Sequence, residues 1–311
     1  MTKVSFWQNL RARLLGRRHA MPGTPLAPQT ESSSKPVNML PRETAPEALQ
    51  ADVNYAIQIG QGFLRLLTAN QINPQGKVIL ELGPGINYGS ALVLACCGAK
   101  AMVADRFLAP WDPDYHPQFY ALLHDSLPEK LPGADVRPIE HILSHGSYTP
   151  ESIRCYATAL EALANIPTAS VDVTISNAVL EHIYDPPTAF KSLARVAKPA
   201  GTGFHQVDFR DHRSMERPLE FLLMSETEFA QEFAERHGEC GNRYRPWEYT
   251  QLFESAGFHV QKFEPSAFAD DDYLKEFIPR LHATEHAKAR DVETPLLKVV
   301  SGLYTVTRRA P

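Results

Sequence analysis

Residues 78–105, VILELGPGINYGSALVLACCGAKAMVAD, decide the fold of this chain. An apolar, strand-like run ends at Glu81, and a turn follows at Gly83-Pro84-Gly85. A helical run of small residues comes next, and a second apolar run ends at Asp105. This order of strand, glycine turn, helix, strand and terminal acid is typical of a nucleotide-binding βαβ unit. Asp105, about 20 residues after the turn, is then placed to accept hydrogen bonds from ribose hydroxyls.

The glycine spacing narrows the choice of nucleotide. Gly83, Gly85 and Gly89 are spaced G-x-G-x-x-x-G, whereas a dinucleotide fingerprint reads G-x-G-x-x-G. Glu81 also points a carboxylate at the turn, which would repel a pyrophosphate but suits an ammonium group. S-adenosylmethionine carries an amine and a ribose and no phosphate, so the sequence predicts that cofactor. The alternative is a glycine turn that serves only the strand-to-helix geometry.

The whole chain has an ordinary composition for a folded α/β protein. It has 311 residues, 43% of them hydrophobic and 22% charged, and a net charge of −5. This charge gives no reason to expect nucleic acid as a partner. The four cysteines have no metal-binding spacing, which favours a reducing cytoplasm. No apolar run approaches the length that a membrane span needs.

The first 46 residues differ from the rest and are predicted to be a basic, proline-rich tail and linker. No acidic residue precedes Glu31, and residues 4–16 could form a short basic amphipathic helix on an anionic membrane surface. The alternative is a disordered, solvated tail. The folded domain is predicted to span residues 47–311.

Apolar periodicity predicts alternating helices and strands along the domain. Helices are expected at 47–70, 187–196, 247–256 and 271–290, and further strands at 152–158, 171–176, 203–209, 258–263 and 301–307. This alternation predicts a doubly wound, mostly parallel sheet with helices on both faces. Two atypical blocks, 106–150 and 211–246, are predicted to be cap-like insertions over the ligand site.

The sequence resembles the class I S-adenosylmethionine-dependent methyltransferases, in particular the ubiquinone-biosynthesis type. The matching stretches are residues 81–85 (ELGPG), Asp105, residues 170–182 (SVDVTISNAVLEH) and residues 193–201 (LARVAKPAG). The resemblance covers about residues 50–264. It implies a seven-stranded, Rossmann-like sheet whose last strand is antiparallel, and methyl transfer from S-adenosylmethionine.

The resemblance also implies roles for individual residues. Glu81, Gly83 and Gly85 would hold the methionine half of the cofactor, and Asp105 would hold the ribose. The adenine would lie near Thr158, Ala159 and Leu160, with Asn177 and Ala178 at the edge of the fourth strand. The family often has an acid at 159 or 160, and here the nearest acid is Glu161.

Residues beyond the fourth and fifth strands are the candidates for catalysis. A general base is needed only if the acceptor loses a proton, and the candidates are His182, His205 and His212. The alternatives are a structural role, which is favoured for His182 because Leu-Glu-His recurs in the family with unrelated acceptors, and hydrogen bonding within the loop for His205 and His212. Residues three apart on a strand, such as His205 and Asp208, point to opposite faces. This orientation argues against a metal site formed by the whole segment 205–212, and no metal is predicted. The alternative is a divalent ion held by Asp208, Asp211 and His212, which lie past the end of the strand and could converge.

Arg243 and Arg245 are predicted to hold a carboxylate or phosphate of the acceptor, together with Asp208 and Asp211. The alternative is that both arginines lie on a solvated surface. The sequence predicts a cytoplasmic methyltransferase acting on a small molecule, a glycan or a lipid-linked precursor, with a slight preference for O-methylation. N- or carboxyl-methylation, or a non-catalytic scaffold with this fold, are the alternatives.

Overall fold

The computed structural model describes residues 42–310 of the chain. Its seven strands are β1 (Val78–Leu82), β2 (Lys100–Asp105), β3 (Arg154–Ala157), β4 (Val171–Asn177), β5 (Ala197–Asp208), β6 (Phe258–Phe268) and β7 (Val299–Arg308). The nine helices in this part of the chain are α1 (Pro46–Ala69), α2 (Gly89–Cys96), α3 (His116–Lys130), α4 (Arg137–His145), α5 (Pro186–Val196), α6 (Glu226–Glu235), α7 (Pro246–Ser255), α8 (Asp271–Ala283) and α9 (Thr294–Lys298). Two 3-10 turns lie at Leu180–His182 and Glu220–Leu223.

The strands form one mixed sheet in the order β3-β2-β1-β4-β5-β7-β6. Strands β1 to β5 pair in parallel, and β7 runs antiparallel to both β5 and β6. The prediction of a doubly wound, mostly parallel seven-stranded sheet with an antiparallel last strand is therefore confirmed.

Helices cover both faces of the sheet because each strand alternates its side chains between them. Ile79 and Glu81 of β1 face α1 and α2, where Ile79 packs near Phe63. Leu80 and Leu82 face the other way, into a larger core under α5 and α7. None of the described helices is long and apolar enough to cross a membrane.

Strand β5 begins six residues before its predicted start at Gly203. Val171 of β4 pairs with Ala197, and Val173 pairs with Thr202, so the extra residues form a bulge in the ladder. Ala200 sits in this bulge at a φ of +60°. Residues 197–201, whose Pro199 and Gly201 read as a turn in the sequence, therefore lie within the strand.

The two atypical blocks have different surroundings. Block 106–150 forms α3 and α4, which pack with α1 and α2 in the helix layer. Block 211–246 contains α6, and its end lies against the 3-10 turn at Leu180–His182. The predicted helix at 271–290 ends at Ala283. The basic stretch 4–16 and most of the linker lie outside the described residues.

Candidate active site

A cavity of about 360 Å³ opens at the carboxyl ends of the parallel strands. We name its two parts by their residues. The glycine-loop end is formed by Glu81, Gly83, Gly85 and Asp105, around β1 and β2. The Asp208 end is formed by His182, Gln206, Asp208, Arg210 and Glu239, around β5. Ligands of open α/β sheets bind at this edge.

Glycine is required at two positions of the loop for different reasons. Gly83 has a φ of +59°, and a Cβ there would lie 2.4 Å from Cγ2 of Val179. Gly85 has a φ of +71°, but a Cβ there would meet nothing within 4 Å. Position 83 is therefore limited by packing as well as by conformation, and position 85 only by conformation.

Glu81 is buried in the wall of the glycine-loop end. Its Oε1 accepts a hydrogen bond of 2.6 Å from Ser90 Oγ, and its Oε2 is buried with no hydrogen-bond partner. Burial raises the pKa of Glu81 to about 7, although the bonds from Ser90 and the Ala91 backbone lower it in part. A buried carboxyl group with one unpaired oxygen is suited to an incoming cation.

Asp105 ends β2 and begins the turn that follows. Its Oδ1 accepts a hydrogen bond of 2.7 Å from Phe107 N, and its main-chain oxygen accepts one from Thr158 N. Thr158 and Leu160 thereby follow Asp105 along the cavity wall, whereas Ala159 does not line the cavity. The structure therefore brings two of the three predicted adenine contacts to the site.

Asn177 and Ala178 form the wall between the two ends of the cavity. Asn177 Nδ2 donates a bond of 3.0 Å to the Tyr55 hydroxyl, and Ala178 N donates to Gln206 O. The nearby acid Glu161 also lines the cavity, where it accepts from Tyr184 N and pairs with Arg106 at 2.9 Å. These bonds hold the chain around residue 184.

The alternation of β5 determines what reaches the Asp208 end. Gln206 and Asp208 point into the cavity, and Arg210 binds both oxygens of Asp208, at 2.9 Å from Nε and 2.6 Å from Nη2. Burial alone would raise the pKa of Asp208, but the bonds from Arg210 and His212 hold it well below its usual range. Asp208 is therefore a fixed negative charge in the cavity wall.

Two histidines hold segment 237–242 at the Asp208 end of the cavity through hydrogen bonds. Nδ1–H of His182 donates to Gly238 O at 2.8 Å, and Nδ1–H of His212 donates to Glu239 O at 3.1 Å. Their rings lie 5.1 Å apart. The ligand atoms of Glu181, Asp208 and His212 lie within 4.8 Å of one another, a spacing that a metal ion could use, but Arg210 already binds Asp208.

His205 does not reach the cavity, which corrects its assignment as a candidate base. Its side chain leaves β5 on the opposite face from Gln206, is fully buried and stacks on Phe253. Its Nδ1 and Nε2 bond the hydroxyls of Ser176 and Thr174 at 2.9 and 3.2 Å. Burial lowers its pKa to about 3, so it is a neutral core residue.

Arg243, Arg245 and Asp211 are also placed away from the cavity, contrary to their predicted role in acceptor binding. Arg245 is fully buried, and its guanidinium donates to Phe209 O, Leu297 O and Val299 O. Burial lowers its pKa to about 10.

Arg243 donates to Phe221 O and Met224 O, and Asp211 binds the guanidinium of Arg213. Arg243 also pairs with the exposed Glu226 at 2.7 Å. Each of these charged groups therefore has its partners within the protein and away from the cavity, which the local sequence could not reveal.

Sequence reasoning missed several residues of the Asp208 end, including Gln206, Arg210 and Glu239. Gln206 could have been found, because a strand places residues 206 and 208 on one face. Glu239 comes from a segment more than 30 residues away, and nothing local marks it.

The fold and the cavity together define a class I S-adenosylmethionine-dependent methyltransferase. A family model described as "Methyltransferase domain" matches residues 50–262. The chain belongs to this family, and it is an enzyme that uses S-adenosylmethionine as its methyl donor and binds a methyl acceptor. A search of curated proteins found no match.

Solved structures with a similar fold include three methyltransferases. A putative sarcosine dimethylglycine methyltransferase from Galdieria sulphuraria is 14% identical, with 85% of this chain and 87% of that chain covered and a TM-score of 0.44. An S-adenosylmethionine-dependent methyltransferase from Mesorhizobium loti is 12% identical, with 78% and 96% covered and a TM-score of 0.44. Phosphoethanolamine N-methyltransferase 2 from Haemonchus contortus, in complex with S-adenosyl-L-methionine, is 14% identical, with 79% and 52% covered and a TM-score of 0.43. At these TM-scores the likenesses do not bear on the acceptor.

Proposed function

We propose that this methyltransferase transfers the methyl group to a hydroxyl group of a polar small molecule, a glycan or a lipid-linked precursor. The observation that carries the proposal is the position of His182 in the cavity wall, with its tautomer fixed by a carbonyl. The proposal has two parts: the residues that bind the cofactor, and the general base that takes the proton of the hydroxyl group.

The cofactor is placed at the glycine-loop end. The unpaired Oε2 of Glu81 would accept the ammonium group, and the carboxylate of Asp105 would accept from the ribose hydroxyls. Gly83 and Gly85 would let the backbone approach the methionine half, as both have positive φ. Thr158, Leu160, Asn177 and Ala178 would border the adenine.

His182 is the proposed general base. Because Nδ1–H donates to Gly238 O, neutral His182 accepts a proton at Nε2. Glu181 Oε1 lies 3.9 Å from that nitrogen and would stabilise the imidazolium. S-adenosylmethionine would supply the methyl group, its sulfur taking the electron pair of the carbon–sulfur bond as the acceptor oxygen bonds the methyl carbon. His182 would take the hydroxyl proton at Nε2.

N-methylation is the second candidate, and it is favoured by Asp208. A carboxylate that stays ionised at the acceptor end would attract a protonated amine. Arg210 opposes this attraction, because it balances the charge of Asp208 at hydrogen-bond distance. We therefore prefer the hydroxyl acceptor.

The acceptor atom can be identified with S-adenosylmethionine that carries a ¹³C-methyl group. The protein is incubated with separated lipid, glycan and amine fractions of a cell extract, and the carbon chemical shift of the labelled product distinguishes an O-methyl from an N-methyl group. A label on nitrogen would overturn the hydroxyl proposal.

A variant separates catalysis from binding. His182→Gln is expected to lower turnover by about 100-fold, within the usual range for a general base, with the affinity for S-adenosylhomocysteine unchanged. His141→Gln, on the exposed side of α4, is the control. Normal turnover of His182→Gln would remove its role as the base.

A cytoplasmic location, with contact to the inner face of a membrane through residues 4–16, stays a prediction. Co-sedimentation with anionic vesicles, compared between the full chain and a chain lacking residues 1–41, tests it. Equal sedimentation of the two chains would exclude that contact.

A further inference from the structure

Helix α3 lies against the loop that carries the glycines, and not over the Asp208 end. Of block 106–150, only Arg106 and Phe107 line the cavity. The loop residues Ile86 and Asn87 line it as well, and both are bonded from behind by side chains of α3 and the residue before it. The block therefore contacts the ligand site mainly through the loop.

Three consecutive loop residues are held by the protein behind them. His116 Nε2 donates to Ile86 O at 2.9 Å, and Tyr120 Oη donates to Asn87 O at 2.7 Å. Asn87 Nδ2 donates to the Tyr115 hydroxyl at 3.0 Å. Tyr88 Oη donates to Ala109 O at 2.8 Å.

The direction of the bond from His116 is fixed by its other ring nitrogen. Nδ1 accepts a bond of 2.7 Å from Asp112 N, so the ring hydrogen lies on Nε2 and points at Ile86 O. The ring is 2% exposed and packs against both Trp111 and Tyr120, with centroids 5.0 and 5.8 Å away. A flipped or charged ring would lose at least one of the two bonds.

We propose that His116 is a positioning residue for cofactor binding, which fixes the Ile86 carbonyl and so holds loop 83–87 in the conformation that receives S-adenosylmethionine. The proposal rests on the placement of the cofactor at the glycine-loop end. A loop that is ordered before binding needs no further ordering when the ligand arrives, which increases affinity. Loss of the bond also leaves a buried carbonyl unpaired.

Three variants test the role of His116 through the dissociation constant for S-adenosylhomocysteine, measured by calorimetry. His116→Phe keeps a stacked ring and removes both bonds, and it is expected to raise the dissociation constant about tenfold. His116→Gln offers one donor and one acceptor and should restore affinity to within about threefold. Tyr148→Phe is the control, because Tyr148 belongs to the same aromatic cluster but its hydroxyl bonds Tyr120 and, among the described residues, no atom of loop 83–87.

The pH dependence of the dissociation constant distinguishes a hydrogen-bonding role of His116 from a role in packing alone. Protonated His116 can no longer accept from Asp112 N, and its Nδ1–H has only Asp112 O, at 3.2 Å, to donate to. The ring that holds Ile86 O should then shift, so the wild-type protein should lose affinity in acid and His116→Gln should lose less. The titratable groups that face the ring are Asp112 and the phenols of Tyr115, Tyr120 and Tyr148. Burial raises the pKa of each phenol, so these stay neutral in acid. Glu81 titrates in both proteins and does not affect their difference.

The outcomes separate this proposal from the proposed cofactor site. If His116→Phe binds as tightly as Tyr148→Phe while Asp105→Ala has lost binding, the role of His116 is overturned and the site stands. If Asp105→Ala also binds normally, the placement of the cofactor fails. Should His116→Phe not fold, Tyr120→Phe removes one hydroxyl bond to the loop and is expected to weaken binding about fivefold; unchanged binding by Tyr120→Phe would count against the proposal.

Discussion

The glycine-loop end of the cavity comes from one stretch of chain, residues 81–105, whereas the Asp208 end is assembled from stretches around residues 181, 208 and 239. At the first end the geometry depends on backbone conformation, on glycines with positive φ and on acids at or next to the ends of β1 and β2. At the second end it depends on side chains that bond backbone carbonyls of distant segments. Changes at the first end should therefore impair cofactor binding, and changes at the second should impair turnover.

Asp105→Ala, at the glycine-loop end, is expected to have the largest effect on ligand affinity. Loss of two charge-assisted hydrogen bonds to the ribose should weaken binding of S-adenosylhomocysteine about 100-fold in calorimetry. Asp105→Asn can keep the bond from Phe107 N. This variant therefore distinguishes the effect of losing the charge from the effect of disturbing the turn. Wild-type affinity in Asp105→Ala would mean that the cofactor lies elsewhere.

Gly83→Ala and Gly85→Ala form a matched pair for the loop. Because of the contact with Val179, Gly83→Ala should lower the free energy of unfolding by about 2 kcal/mol more than Gly85→Ala, in which only φ is strained. Urea denaturation measures this difference. Adding Val179→Ala to Gly83→Ala should recover part of the loss, and no recovery would contradict the packing explanation.

Asn242→Ala tests the assembly of the Asp208 end. Asn242 is buried, its Nδ2 donates to Leu180 O, and its Oδ1 accepts from the Tyr249 hydroxyl. Removal should lower the free energy of unfolding by about 1–2 kcal/mol and reduce turnover, with the affinity for S-adenosylhomocysteine unchanged. A matched loss of cofactor affinity would show that the two ends are not independent.

A smaller effect is expected from pH, through Glu81. Its pKa of about 7 leaves it half protonated near neutrality, and an ammonium group binds the carboxylate better. Affinity for S-adenosylmethionine should therefore rise about fivefold between pH 6 and 7, below the range in which an α-amino group loses its own proton. The affinity for adenosine, which has no ammonium group, should not change. A flat profile for S-adenosylmethionine would argue against pairing with Glu81.

The same pKa has a consequence for the stability of the free protein. Because the folded pKa lies above the ordinary value of 4.5, the folded state binds more protons than the unfolded state between pH 4.5 and 7. The contribution of Glu81 to stability is thus present in acid and is lost as pH rises through 7. In Glu81→Gln this contribution should disappear from the pH dependence of unfolding.

The contrast between the two ends also explains what the sequence could predict. The strands, the sheet and the cofactor followed from local patterns, since glycines and terminal acids report backbone geometry directly. The roles of Arg243, Arg245 and His205 did not, because a charged or titratable residue looks the same whether it faces a ligand or buried carbonyls. The early start of β5 was hidden because the bulge contains Pro199 and Gly201, which read as a turn.

The position of β7 between β5 and β6 constrains the order in which the sheet can form during synthesis. Strand β6 pairs only with β7 within the described sheet, yet β7 follows it by 30 residues. A nascent chain that ends before residue 299 would present β6 without a neighbour and β5 with one open edge. Such edges pair readily with other chains. Ribosome-bound intermediates of that length are therefore expected to need protection until β7 emerges and joins the two strands.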